Sequence, residues 1–118
     1  MLIWIMAVFV SNIVIEQGYD FNTTFELEDT TTTNLLDLTG YSIEAQIRKT
    51  YNSSSSTSFT TVVVTPETSG KITISLGTTQ TASLKEGRYV YDIKGITNGG
   101  KVLKLIEGSA LVRPGVTR

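Results

Sequence analysis

Hydrophobic and polar residues alternate along much of this chain with the period of two that is typical of β-strands with one buried face. The alternation is clearest over residues 41–49, where one face is made by Tyr41, Ile43, Ala45 and Ile47. Residues 21–28 repeat the pattern, with one face made by Phe21, Thr23, Phe25 and Leu27. Both segments are therefore predicted to be strands whose apolar face packs on a core.

Shorter runs between turn-forming residues predict five further strands, over residues 8–16, 58–65, 71–76, 88–95 and 102–112. Asn98-Gly99-Gly100 predicts a hairpin between the last two, because Asn-Gly favours tight turns. Pro114 ends the last strand because proline cannot donate to a ladder. A single helical turn is predicted over residues 79–84. This pattern predicts an all-β fold, an immunoglobulin-like antiparallel β-sandwich of about seven strands.

Residues 84–93 carry the most informative pattern. A polar turn closed by Gly87 leads directly into a strand in which Tyr89, Tyr91 and Ile93 share the inward face. A tyrosine at the start of such a strand is typical of the tyrosine corner of immunoglobulin-like sandwiches, in which the phenol is hydrogen-bonded to the preceding connection. We therefore expect Tyr41, Gly87, Tyr89 and Tyr91 to be structural residues.

The first ten residues are continuously apolar but too short to span a membrane, which takes about 20 apolar residues. They also lack the basic residue that opens a secretory signal. We interpret residues 1–10 as an apolar N-terminal arm or a first strand, and residues 11–118 as a single sandwich domain. Such an arm could complete a neighbour's sheet by strand addition. The candidate assembly contacts are Leu2, Ile3, Trp4, Ile5, Val8, Phe9 and Val10.

The composition excludes several kinds of chemistry. The chain has no cysteine and no histidine, which rules out thiol nucleophiles, disulfides, histidine acid–base catalysis and Cys or His metal sites. Glu26 and Glu28 share the polar face of a predicted strand, where a solvated edge explains them better than a catalytic pair. We expect no enzymatic activity, no catalytic residue, no metal ion and no cofactor. Tyr51, beside four serines, is the candidate loop contact.

The charges are unevenly distributed along the chain. Residues 1–47 contain seven acidic residues and no basic one, whereas residues 48–118 contain ten basic and four acidic residues, a balance of +6. Copies of the chain could dock head to tail, but we favour the interpretation that the strands interleave and the polarity averages out. The net charge of −1 does not favour nucleic acid as a partner.

Several stretches of the chain resemble small virion structural proteins of tailed phages, especially cyanophages. They are residues 6–18 (MAVFVSNIVIEQG), 37–41 (DLTGY), 46–49 (QIRK), 84–93 (LKEGRYVYDI), 107–108 (EG) and 112–118 (VRPGVTR). The chain also resembles the N-terminal immunoglobulin-like domain of the phage upper-baseplate protein family. The resemblance implies location in the virion, and it implies Met6 as the natural start with residues 1–5 as an upstream extension.

Two hypotheses for function follow. In the first, the protein is a non-enzymatic virion component, on the tail or baseplate or decorating the capsid, that acts through protein–protein interfaces. Its partners are then other virion proteins and further copies of itself in a homo-oligomer, with neither nucleic acid nor membrane involved. In the second, the sandwich is a binding module that recognises host-surface glycans through the loops at Asn34, Tyr51 and Asn98.

Overall fold

Nine strands form two sheets in residues 9–29 and 34–117, the part of the chain that the computed structural model describes. The strands are β1 (Phe9–Val10), β2 (Ile13–Glu16), β3 (Phe21–Glu26), β4 (Ser42–Arg48), β5 (Thr57–Ser58), β6 (Thr60–Val63), β7 (Lys71–Leu76), β8 (Gly87–Ile96) and β9 (Val102–Arg113). A 3₁₀ turn covers Glu67–Ser69, and one short helix, α1, covers Thr78–Ser83. The strands predicted over residues 21–28, 41–49, 71–76, 88–95 and 102–112 are confirmed, as is the helical turn, which is displaced by one residue. The single strand predicted over residues 8–16 is observed as β1 and β2, and residue 8 lies outside the described residues.

The larger sheet has the strand order β1-β9-β8-β4-β5, with β2 pairing beside β1 on the same side of β9. The smaller sheet has the order β3-β7-β6. The chain passes from the larger sheet to the smaller at Phe59, which is buried and whose N–H donates to the carbonyl of Ala45 at 2.9 Å. For this reason the single strand predicted over residues 58–65 is observed as β5 and β6.

This topology is that of an all-β, immunoglobulin-like sandwich, which confirms the predicted fold class. One pairing departs from a purely antiparallel arrangement, because β1 and β2 lie parallel to β9. Parallel neighbours need a long crossover. Here nearly the whole domain separates the first strand from the last.

The core lies between the two sheets and is filled by the faces that the alternation predicted. Every second residue of β7 is buried, and Ile72 and Ile74 are completely inaccessible to solvent. On the larger sheet, Tyr91 and Ile93 of β8 are buried and face the same core from the other side. Aromatic rings add to this contact, since Phe59 and Tyr91 meet edge to face with ring centroids 6.2 Å apart.

Helix α1 is attached to the turn before β3 by one buried hydroxyl. Thr81 Oγ1 donates to the carbonyl of Tyr19 at 2.9 Å and accepts the N–H of Gly18 at 3.0 Å. The N–H of Gly77 donates to Gln80 Oε1 at 3.0 Å, which satisfies one of the free amides at the helix start. These bonds hold in place the connection that leads into β8.

The hairpin predicted at Asn98-Gly99-Gly100 joins β8 to β9, but the left-handed residue is Gly100, with φ +87°. The N–H of Thr97 donates to the carbonyl of Lys101 at 2.8 Å and closes the turn. The position that needs glycine for its positive φ is therefore the last of the three, Gly100.

The uneven charge distribution of the sequence is balanced across paired strands. Glu44 on β4 lies opposite Lys94 on β8 with 3.4 Å between the charged atoms, and Glu16 on β2 pairs with Arg113 on β9. The interpretation that the strands interleave is thus confirmed. Exposed pairs of this kind contribute at most about 1 kcal/mol each.

Candidate interaction surface

The start of β8 carries the hydrogen bond that defines a tyrosine corner. The hydroxyl of Tyr89 donates to the carbonyl of Lys85 at 2.7 Å. The Lys49 ammonium lies 4.8 Å above the Tyr89 ring, a distance typical of a cation–π contact. Gly87 has φ +138°, and a Cβ there would lie 2.7 Å from Lys49 Nζ. Gly87 and Tyr89 therefore make contacts within the fold, with Lys85 and Lys49.

Tyr41 and Tyr91 also lie within the packed interior. Tyr41 is half-buried against the core, and burial raises the pKa of its phenol, with the charges of Asp29 and Asp37 adding to the effect. Burial likewise raises the pKa of Tyr91. Both rings pack in or against the hydrophobic core.

The hydroxyl of Tyr91 also bonds to a break in the edge strand, at Ser11 and Asn12, that was not predicted from the sequence. It donates to the carbonyl of Ser11, in the break between β1 and β2, at 2.5 Å. That carbonyl approaches β9 so closely that a Cβ at position 108 would lie 2.0 Å from its oxygen. Gly108 is therefore required for close backbone approach, and a glycine inside a predicted strand is the signal that could have indicated it. We call Ser11, Tyr91 and Gly108 the edge-strand break.

Of the candidate assembly contacts, Leu2, Ile3, Trp4, Ile5 and Val8 lie outside the described residues. Phe9 and Val10 form β1 and pair with β9 of their own chain, so they belong to the sandwich as part of its first strand. Phe9 is half-buried and packs against the core, which leaves little of its side chain for a partner. Val10 is 71% exposed and remains a candidate contact.

Exposed apolar side chains are concentrated along this side of the larger sheet. Val10 and Val14 both project from its outer face, and Val14 lies directly opposite Leu111. At the end of β2, Tyr19 and Val116 line an open cavity of about 570 Å³, and Val116 is 92% exposed. We call Val10, Val14, Tyr19 and Val116 the first-strand surface. Large exposed apolar patches are typical of protein–protein contact sites, and here the ion pair of Glu16 and Arg113 lies beside Tyr19 and Val116.

Tyr51 follows β4 and is 73% exposed. It lines a shallow cavity of about 110 Å³ together with Gln46, Arg48 and Asp92. The Arg48 guanidinium is held over the sheet, because it donates to Gln46 Oε1 at 2.9 Å and to the carbonyl of Ser53 at 2.7 Å. An aromatic ring beside fixed polar groups is an arrangement that can bind a sugar.

The loops proposed for glycan recognition do not meet at one site. Asn98 lies against Gly40, at the end of the sandwich where β4 begins. Tyr51 lies beyond the other end of β4, about 20 Å away at about 3.3 Å per residue. A site that includes Tyr51 therefore includes residues of the outer sheet face and excludes the Asn98 loop.

Within residues 9–29 and 34–117, no three His, Cys, Asp or Glu side chains come together as metal ligands. Over the same residues, no helix has the length and apolar character needed to cross a membrane.

No family model matches this sequence, and no curated protein matches it. Among solved structures, a mutant of the SrpA adhesin from Streptococcus sanguinis aligns with a TM-score of 0.53 and 13% identity, over 86% of this chain and 54% of the adhesin chain. An internalin-like protein from Listeria monocytogenes aligns with a TM-score of 0.42 and 16% identity, over 90% of this chain and 28% of its own. Murine CRIg aligns with a TM-score of 0.39 and 12% identity, over 88% of this chain and 92% of its own. The present chain spans about half the length of the adhesin, and at this identity the likeness is one of fold.

Proposed function

We propose that this protein is a non-enzymatic structural component of a phage virion, on the tail or baseplate or decorating the capsid, that acts through protein–protein interfaces. The observation that supports this best is the first-strand surface, where four large apolar side chains remain exposed on one side of a well-packed sandwich. The resemblance of the sequence to small virion proteins of tailed phages supports the same proposal.

The proposal is tested by tracing the protein in purified particles. We expect it to co-purify with intact virions at a fixed stoichiometry. Replacing Val10 and Val14 together with serine should lower incorporation about tenfold or more, because each valine buried in an interface contributes about 1.5 kcal/mol or more. A protein absent from the particles would refute the proposal.

A matched control is available on the other sheet. Val62 on β6 is 53% exposed and lies away from the first-strand surface. Val62→Ser should therefore leave incorporation unchanged. Equal incorporation of the Val10/Val14 variant and the Val62 variant would exclude the first-strand surface as the contact.

A second function, recognition of host-surface glycans, is supported by the position of Tyr51 beside the fixed guanidinium of Arg48. The isolated protein should then bind components of a glycan array, and Tyr51→Ala should abolish that binding. Tyr19→Ala, which removes an exposed tyrosine elsewhere, should not. An array with no bound glycan would contradict this second function without affecting the first.

A further inference from the structure

Strand β3 forms one edge of the smaller sheet, and within the described part of the chain no strand pairs with its outer side. It is six residues long and pairs with β7 in an unbroken register. Sheet edges in natural proteins are usually protected by lysine, proline, bulges or very short strands. The outermost strand β5 of the larger sheet has only two residues, and the edge formed by β1 and β2 is interrupted by the edge-strand break. β3 carries one charged residue, Glu26 at its end, and in the described part of the chain it has none of the other protections.

The core-facing side chains of β3 are also incompletely covered. Phe21, Thr23 and Phe25 point toward the core but remain half-buried. The corresponding residues of the adjacent strand β7, Ile72 and Ile74, are fully buried. Among the described residues the sandwich is therefore open along β3, and two phenylalanine rings at this edge still have apolar surface to bury.

The pattern of β3 matches the symmetry that a contact between two copies requires. A two-fold interface uses the same patch on both subunits, so the patch must be complementary to itself. The inward set Phe21, Thr23 and Phe25 reads the same in both directions about Thr23. In an antiparallel pair centred there, Phe21 lies opposite Phe25 of the other copy and Thr23 lies opposite its own counterpart.

The outward side chains fit the same register. Asn22 lies opposite Thr24 of the other copy, and an amide and a hydroxyl can hydrogen-bond across the pair. Thr24 is already oriented by a 2.7 Å hydrogen bond between its hydroxyl and that of Thr73 on β7. At the two ends of the pair, Asp20 lies opposite Glu26 of the other copy. These like charges should weaken the contact at low ionic strength.

We infer that two copies of this protein associate through β3, with the strands antiparallel about Thr23, and so join the two three-stranded sheets into one six-stranded sheet. This contact uses a different surface from the one proposed for virion assembly and does not depend on the virion role. It buries the half-exposed phenylalanines and satisfies the free backbone groups of both edges.

Because the chain contains no cysteine, a single introduced cysteine reports the contact. Directly opposite residues of an antiparallel pair have Cα atoms about 4.5–5.5 Å apart, within the range of a disulfide. Thr23→Cys should therefore form a covalent dimer under mild oxidation, seen on a non-reducing gel. The control is Thr60→Cys on β6, an exposed position at the opposite edge of the same sheet, which should react only at the rate of random collisions.

Sedimentation of the unmodified protein measures the association directly and should give a species of twice 12.9 kDa. The dimer should strengthen as salt is raised. Thr23→Lys places an inward-pointing charge on the edge and should weaken dimerisation about tenfold or more, with circular dichroism confirming that the variant is folded. A protein that sediments as a monomer, with both cysteine variants reacting at the same low rate, would overturn the inference. So would a dimer in which Thr23→Cys cross-links no faster than Thr60→Cys.

Discussion

Replacing Tyr91 with phenylalanine isolates the hydrogen bond that Tyr91 makes at the edge-strand break. The substitution removes only the hydroxyl that donates to the carbonyl of Ser11, and it keeps the ring that packs edge to face on Phe59. Because that carbonyl is directed toward β9 at Gly108, it has no room to turn away without moving the strand. The variant should therefore fold, but with a carbonyl that has lost its donor.

The expected loss of stability follows from the position of that carbonyl. A buried polar group left without its partner costs about 1–3 kcal/mol, and we expect about 2 kcal/mol because Ser11 is only half-buried. With an unfolding entropy of about 2.1 cal/mol/K per residue, this lowers Tm by about 8 °C for a chain of 118 residues.

The matched control is Tyr89→Phe, the same substitution two residues earlier on β8. The hydroxyl of Tyr89 also donates to a backbone carbonyl, that of Lys85, but the bond is exposed and water can replace it. We expect a loss of about 0.5 kcal/mol or less at Tyr89. Urea denaturation followed by circular dichroism measures both variants, and an unchanged slope with denaturant shows that the same surface unfolds.

The reasoning would be refuted if Tyr91→Phe were as stable as the original protein, or if the two variants lost the same stability. Either result would mean that the carbonyl of Ser11 finds another donor or water, and that the edge-strand break does not depend on Tyr91.

Two further predictions concern the same region. Gly108→Ala should cost about 3 kcal/mol, since its Cβ meets the carbonyl oxygen of Ser11. Gly99→Ala should change the urea midpoint little, because its Cβ would make only an ordinary contact of 3.9 Å with Thr97 Oγ1; equal midpoints would contradict the close approach. Burial raises the pKa of Tyr91 above its usual value of 10.0. The neutral phenol therefore contributes fully to the stability of the fold below about pH 10, and this contribution is lost as the pH rises through the folded-state pKa. The free energy of unfolding should therefore fall less between about pH 9 and pH 11 in Tyr91→Phe than in the original protein, and parallel profiles would argue against this.

The strands could be predicted because their signal is local. Alternation of the kind seen from Tyr41 to Ile47 follows from the pleat of a strand with one face in a core. The tyrosine corner is also local, since Tyr89 and Lys85 are only four residues apart. The hairpin at Asn98 was predictable for the same reason, although the choice of Gly100 as the left-handed residue was not.

The surfaces were less predictable because they depend on which distant segments meet. The sequence grouped Asn34, Tyr51 and Asn98 as loops, but β4 separates Tyr51 from Asn98. It grouped Phe9 with Val10 as contacts, but parallel pairing with β9 turns Phe9 toward the core and Val10 toward solvent. In both cases the sequence identified the candidate residues, but only the pairing of the strands decided which part of the molecule each residue faces.

The sequence by itself determined the all-β class, the positions of the strands and the absence of cysteine and histidine chemistry. These features depend on residue type and on a period of two along the chain. Only the tertiary structure decided that the chain changes sheets at Phe59, that the carbonyl of Ser11 requires Gly108, and that no strand of the described residues pairs with the outer side of β3. The physical reason is that each of these contacts joins segments far apart in sequence, so no local pattern records it.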